Sequence, residues 1–151
     1  MQKRRIAIFG STGSIGKQTL EIIEENPELF CAEILTASTN VDLLIEQALK
    51  FDPNIVVIAD ESQFSTVQTA LMQTNIKVFA GDQALVDVAG MDSYDLMIAG
   101  IVGFAGLKPT LKAIESGKPV GLANKETLVV AGDIVMRTAA ENRVPIIPLD
   151  S

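Results

Sequence analysis

The sequence predicts an α/β protein, a doubly wound and mostly parallel sheet of the Rossmann-like kind formed by seven strands in a single domain. Three observations carry that expectation. Short apolar runs alternate with segments of helical spacing along nearly the whole chain. The runs are continuously apolar and do not alternate with polar residues, as strands buried on both faces require. A glycine-rich turn, Gly10-Ser11-Thr12-Gly13-Ser14-Ile15-Gly16, joins the first run directly to the first helical segment.

The strands are expected at Arg5–Phe9, Ala32–Ala37, Ile55–Ala59, Ile76–Phe79, Leu96–Ala99, Val120–Leu122 and Pro145–Leu149. Between them, helical spacing marks Ile15–Asn26, Val41–Phe51, Ser62–Thr74, Asp82–Ala89, Leu107–Ser116 and Glu126–Asn142. In the second helix Leu44, Ala48 and Phe51 form one stripe, with the acids and Gln47 largely elsewhere. Asn26-Pro27, Asp52-Pro53 and Gly117-Lys118-Pro119 fall where helices should stop. In such sheets ligands bind beyond the carboxyl ends of the strands, so the residues just after each strand carry the functional information.

The chain has 151 residues, 48% of them hydrophobic, which suits one core and one domain spanning 1–151. Its net charge of −7 argues against general affinity for nucleic acid or an anionic membrane surface. No apolar run approaches the roughly 20 residues of a membrane helix, and Lys3-Arg4-Arg5 leads into a strand, so a cytoplasmic protein is expected. The absence of histidine removes the commonest general base and metal ligand. The single cysteine, Cys31, excludes an internal disulfide and is expected to be a buried structural thiol at the head of a strand.

In the glycine turn, Gly10 suits a tight turn, Gly13 lets backbone approach a pyrophosphate and Gly16 lets the helix pack close to its strand. The spacing is GxxGxxG, one residue from the strict dinucleotide fingerprint. Gly100, Gly103 and Gly106 repeat that spacing after the fifth strand, either as a second half-site with apolar contacts through Ile101, Val102 and Phe104 or as a simple helix-entry turn. At the end of the second strand, Thr36-Ala37-Ser38-Thr39-Asn40 contains no carboxylate, which favours NADP over NAD because an acid there would repel a 2′-phosphate. Ser38, Thr39 or Asn40 either caps the next helix, contacts a ligand, or does both. No Arg or Lys lies in this turn, so strong phosphate recognition needs a cation from elsewhere.

Asn124-Lys125-Glu126-Thr127 opens the longest helix. A cation at a helix amino end is disfavoured by about 0.3–1 kcal/mol, so Lys125 points to a neighbouring anion or ligand, the alternative being a solvated lysine. Asp150 and Ser151 stand after the seventh strand, where Asp150 either holds Mg or Mn or acts as a strand-end cap for the next segment. Stopping there predicts a fragment of a longer protein.

Together GSTGSIG at 10–16, GIVGFAGLKPT at 100–110, LANKETLV at 122–129 and PLDS at 148–151 resemble the amino-terminal, NADPH-binding domain of the 1-deoxy-D-xylulose 5-phosphate reductoisomerases. The resemblance implies that Thr12, Gly13, Ser14 and Ile15 hold cofactor phosphates, with Asn40, Asn124 and Glu126 also touching NADPH. It implies that Lys125 and Ser151 contact a phosphorylated sugar substrate, with Lys125 and Asp150 catalytic and Asp150 binding the Mg or Mn that polarises substrate oxygens. The implied reaction rearranges 1-deoxy-D-xylulose 5-phosphate and reduces the product to 2-C-methyl-D-erythritol 4-phosphate in non-mevalonate isoprenoid biosynthesis. A homodimeric parent is implied as well, and the fragment alone is expected to be inactive. Some relatives carry Gly-Lys-Asn where this chain has Ser38-Thr39-Asn40.

Competing dehydrogenases fit less well, since Tyr94 is followed four residues later by Ile98 where a Tyr-x-x-x-Lys enzyme needs lysine, and Cys31 is misplaced for a semialdehyde dehydrogenase nucleophile. A non-catalytic NAD(P)-sensing module is the alternative from another class. It explains the turn and leaves Lys125 and Asp150 unexplained.

Overall fold

A computed structural model describes residues 2–101, 103–122 and 125–149, and for 103, 104 and 125–131 the backbone alone. The strands are β1 (Arg4–Phe9), β2 (Phe30–Ala37), β3 (Ile55–Ile58), β4 (Lys77–Ala80), β5 (Leu96–Ala99), β6 (Val120–Leu122) and β7 (Ile146–Pro148). The helices are α1 (Ser14–Glu25), α2 (Val41–Phe51), α3 (Phe64–Ala70), α4 (Asp82–Ala89), α5 (Leu107–Glu115) and α6 (Lys125–Asn142). The seven strands form one sheet in the order β4-β3-β2-β1-β5-β6-β7, and each neighbouring pair runs parallel.

From β1 the chain winds outward to β4, then returns to lay β5 against the free side of β1 and winds outward the other way. The reversal leaves a crevice between the carboxyl ends of β1 and β5, where connections diverge to opposite faces of the sheet.

Parallel strands covered on both faces demand two cores, and the structure has them. One joins Ala7, Phe9, Ile34 and Val57 to α4, α5 and α6 through Leu85, Val88, Ala113, Ile114 and Val135. The other joins Ile6, Ile8, Leu35, Val56 and Ile58 to α1, α2 and α3 through Leu20, Ile23, Leu44, Ala48 and Val67. Alternate residues of one strand therefore serve opposite layers, which explains why β1, β2 and β3 are unbroken apolar runs. The edge strands are less buried: Lys77 and Phe79 of β4 and Ile147 of β7 are exposed.

Three local expectations are corrected. The segment Ser62–Thr74 is not one helix: a 3-10 turn at Glu61–Gln63 precedes α3, and the helix ends at Ala70. Side chains that compete for backbone groups account for both limits. Asp60 accepts from the Ser62 N–H at 3.1 Å, while the Thr74 hydroxyl donates to the Leu71 carbonyl at 2.6 Å and accepts from the Ile76 N–H at 3.1 Å. Cys31 is only half-buried. Its thiol pKa is raised, chiefly by desolvation and then by the charge of Glu33. Gln47, which helical spacing puts on the outer face of α2, is buried at 6% exposure.

A register shift between Ile6 and Ala7 skips Glu33, leaving it as the extra residue of a bulge in β2. Its buried side chain accepts a 2.7 Å hydrogen bond from Asn54, and its carbonyl accepts the Asn54 N–H at 3.0 Å. The bulge thus ties β2 to the start of β3.

Candidate cofactor site

The glycine turn lies at the crevice between β1 and β5. Gly10 has φ +92°, a conformation that L side chains rarely adopt, and a Cβ there would come within 2.9 Å of the Gly100 carbonyl carbon. At Gly16 a Cβ would lie 2.3 Å from the Gly10 oxygen, so the helix can approach the turn only without a side chain. Gly13 differs. A Cβ there would meet nothing closer than the Gly10 oxygen at 3.5 Å, an ordinary contact. The protein's own packing therefore requires glycine at 10 and 16 but not at 13, which is exposed.

Gly13 is also the N-cap of α1. Its N–H donates to the Gly10 carbonyl at 3.2 Å and its carbonyl accepts the first helical bond, from Lys17 N–H, at 2.9 Å. No side chain caps this helix and no acid occupies its first turn. By contrast Asn40 caps α2, its side-chain oxygen accepting from Leu43 N–H at 3.3 Å, and Asp42 follows in the first turn. The first N–H groups of α1 thus keep the partial positive charge that an anion would satisfy.

The turn is held from behind by a buried polar network that sequence periodicity does not reveal. Gly10 N–H donates to the Thr36 hydroxyl at 3.0 Å and Ser11 N–H to the Thr36 carbonyl at 2.8 Å. The amide of Gln47 donates to the Ser11 carbonyl at 2.9 Å, and the Ser11 hydroxyl lies 2.7 Å from the Gln47 side-chain oxygen. Ser11, Thr36 and Gln47 are each buried. Gln47 faces inward because this network satisfies its polar atoms, a long-range fact that helical spacing cannot carry.

In front of the turn a cleft of about 260 Å³ opens at the carboxyl ends of four strands. Gly10, Thr12 and Gly13 form one wall and Thr36, Ala37 and Ser38 another; Ala59, Asp82 and Leu85 line its far end, and Gly100, Ile101 and Ala105 its β5 side. Of the expected site residues, Thr12 and Gly13 line the cleft, while Ser14 and Ile15 open α1 immediately beyond it. Ile15 also packs its side chain against the core of the α1–α3 layer. Asn40 lies two residues past Ser38 and serves as a helix cap, the first of the roles expected for that turn. Lys125 and Glu126 begin α6 after β6, on the same sheet edge, with only their backbone described. Asn124, Asp150 and Ser151 lie outside the described residues. Sequence reasoning misses Thr36, Ala59, Asp82 and Leu85 as cleft residues, although Ala59 follows a strand and Asp82 opens a helix just after one.

This geometry defines a doubly wound α/β domain of the Rossmann-like class, with its glycine turn at the topological switch point. The family model described as 1-deoxy-D-xylulose 5-phosphate reductoisomerase matches residues 6–132, and the chain belongs to that family. The 1-deoxy-D-xylulose 5-phosphate reductoisomerase of Porphyromonas gingivalis is 53% identical over 149 residues, covering 99% of this chain and 39% of that protein. The Zymomonas mobilis enzyme, solved in complex with NADPH, superposes with a TM-score of 0.94 at 41% identity, over 99% of this chain and 39% of its own. A structure of the family in complex with NADPH, fosmidomycin and magnesium gives a TM-score of 0.92 at 37% identity, over 98% of this chain and 36% of its own. The chain thus spans about two fifths of the length of the curated relatives it matches.

Proposed function

We propose that residues 1–151 are the NADPH-binding domain of an enzyme that rearranges 1-deoxy-D-xylulose 5-phosphate and reduces the product to 2-C-methyl-D-erythritol 4-phosphate. The observation that carries the reading is the asymmetry of the glycine turn. Folding accounts for Gly10 and Gly16, whereas Gly13 has no protein neighbour that forbids a side chain and stands at an uncapped helix start facing the cleft. A diphosphate on that backbone supplies the missing reason.

Bound NADPH supplies a hydride. The backbone of Thr12, Gly13, Ser14 and Ile15 holds its diphosphate, the N–H groups of Thr12, Ser14 and Ile15 donating while that of Gly13 stays on the Gly10 carbonyl, and the Thr36–Gln47 network keeps the turn fixed. Preorganised donors lose little freedom when the anion arrives, which favours binding. Asn40, Asn124 and Glu126 are assigned to the cofactor, Lys125 and Ser151 to the phosphorylated sugar, and Asp150 to a magnesium or manganese ion. Lys125 at the start of α6 suits an anionic ligand, because the helix end itself disfavours the cation. Among the described residues no three His, Cys, Asp or Glu side chains gather to hold a metal. Among them, too, no helix is long and apolar enough to cross a membrane. The reading includes a cytoplasmic, homodimeric full-length protein.

The direct test offers the full-length protein NADPH, a divalent cation and 1-deoxy-D-xylulose 5-phosphate while coenzyme oxidation and product are monitored. Formation of 2-C-methyl-D-erythritol 4-phosphate with matching NADPH consumption is expected. Absence of NADPH binding at millimolar concentration would overturn the cofactor assignment, and binding without turnover would overturn the enzymatic one.

A further inference from the structure

The turn after β2 is where a Rossmann-like domain meets the adenosine ribose, and here it carries no positive charge. Its surroundings are acidic. Asp82 lines the cleft with Ser38, and Asp60 N–H donates to the Ser38 carbonyl at 3.1 Å, which brings that residue beside the turn. A 2′-phosphate arriving next to Ser38 needs a cation to offset those carboxylates.

Lys17 is placed to supply one. It sits in the first turn of α1, exposed, with no acid in that turn and at the helix end where a cation is disfavoured. It lines a groove between α1 and α2 together with Leu43, Glu46 and Gln47. Leu43 is the residue whose N–H Asn40 caps, so this end of the groove abuts the Ser38-Thr39-Asn40 turn. Side chains on a helix lean toward its amino end, which carries the long stem of Lys17 toward the ligand edge of the sheet. The second lysine of the groove, Lys50, behaves differently: it pairs with Glu24 at 3.0 Å and lies 5.6 Å from the centre of the Phe51 ring. Lys17 has no ion-pair partner among the described residues, although Glu21 and Glu46 line the same groove.

We propose that Lys17 binds the 2′-phosphate of NADPH, so that α1, not the turn after β2, sets selectivity against NADH. Asn40 and Ser38 offer polar contacts to the same phosphate, and Lys17 supplies its charge. This rests on the reading of the glycine turn as an NADPH site.

The test compares 2′,5′-ADP with 5′-ADP, and NADPH with NADH, by calorimetry on full-length wild type, Lys17→Ala and Lys17→Arg. Lys17→Ala should weaken 2′,5′-ADP and NADPH about tenfold, with the difference shrinking as salt is raised, and leave 5′-ADP and NADH unchanged. Lys17→Arg should keep most of the 2′-phosphate preference. Equal loss for both ligand pairs, or no loss for either, would overturn the role of Lys17 while leaving the cofactor site standing. Failure of the wild type to bind NADPH at all would remove the site and the proposal together.

Discussion

The side-chain amide of Gln47 donates to the Ser11 carbonyl at 2.9 Å, and the Ser11 hydroxyl sits 2.7 Å from the oxygen of the same amide, so α2 grips the glycine turn at two points. Both groups are buried, and each satisfies the other. Gln47→Leu leaves the buried Ser11 carbonyl without its side-chain donor, while the Ser11 hydroxyl keeps the Thr36 carbonyl at 3.2 Å as acceptor, at an expected cost of about 1–3 kcal/mol. Chemical denaturation should show that loss, and titration of the folded variant should show weaker NADPH binding because the turn is no longer held. Unchanged stability and affinity would mean that the pair does not position the turn.

The three glycines of the turn separate folding from binding. Gly16→Ala forces a Cβ against the Gly10 oxygen and should destabilise by about 1–3 kcal/mol or more. Gly13→Ala meets only an ordinary contact and should cost less than about 1 kcal/mol, mainly through the poorer N-cap. Yet Gly13→Ala should lose NADPH affinity at least as severely as Gly16→Ala does in its folded fraction. Thermal melts paired with coenzyme titration distinguish the two, and a Gly13→Ala protein with full affinity would contradict a backbone-bound diphosphate.

At the amino ends of β1 and β5, away from the cleft, Arg5 and Asp95 make an exposed bidentate pair, Arg5 donating to the two carboxylate oxygens at 3.2 and 2.9 Å. Side-chain and backbone hydrogen bonds from Arg5 hold the Asp95 carboxyl down at about 2. A depressed carboxylate pKa stabilises the fold above the unfolded value, near 3.9, and that contribution is lost as pH falls from there toward about 2. Asp95→Asn should therefore remove part of the acid-side decline over this window and leave NADPH affinity at neutral pH intact. Identical stability profiles from about pH 4 to about pH 2 would show that the pair contributes nothing, as exposed pairs sometimes do.

Asp150→Asn in the full-length protein separates a catalytic role from a sensing one. The enzymatic reading expects nearly complete loss of turnover with NADPH binding retained, because the carboxylate is assigned to the metal and not to the coenzyme. Turnover close to wild type would remove Asp150 from the metal site.

Much of this fold is legible in the sequence because parallel strands buried on two faces leave unbroken apolar runs, as at Ile55–Ile58. Four expected elements, Val41–Phe51, Asp82–Ala89, Leu96–Ala99 and Val120–Leu122, coincide with the observed ones. The misses have a common cause. Helical spacing puts Gln47 on the outer face because polarity in a helix normally marks solvent, and only its partner 36 residues away makes burial favourable. The third helix is shorter than its spacing suggests because Asp60 and Thr74 capture backbone groups at either end. Likewise, the glycine turn is readable as a cofactor motif, but its supports at Thr36 and Gln47 and the cleft residues Asp82 and Leu85 become visible only when the strands are assembled. The local spacing also makes Gly10, Gly13 and Gly16 look equivalent, while the folded chain shows that only Gly13 is left for a ligand to explain.

A crystal structure of the full-length protein with NADPH measures the central claim directly. The expected density places the diphosphate against the backbone of Thr12 to Ile15, within hydrogen-bonding distance of the N–H groups of Thr12, Ser14 and Ile15, with the nicotinamide directed along the sheet edge toward the start of α6. Coenzyme bound with its diphosphate away from the α1 amino end would contradict the account.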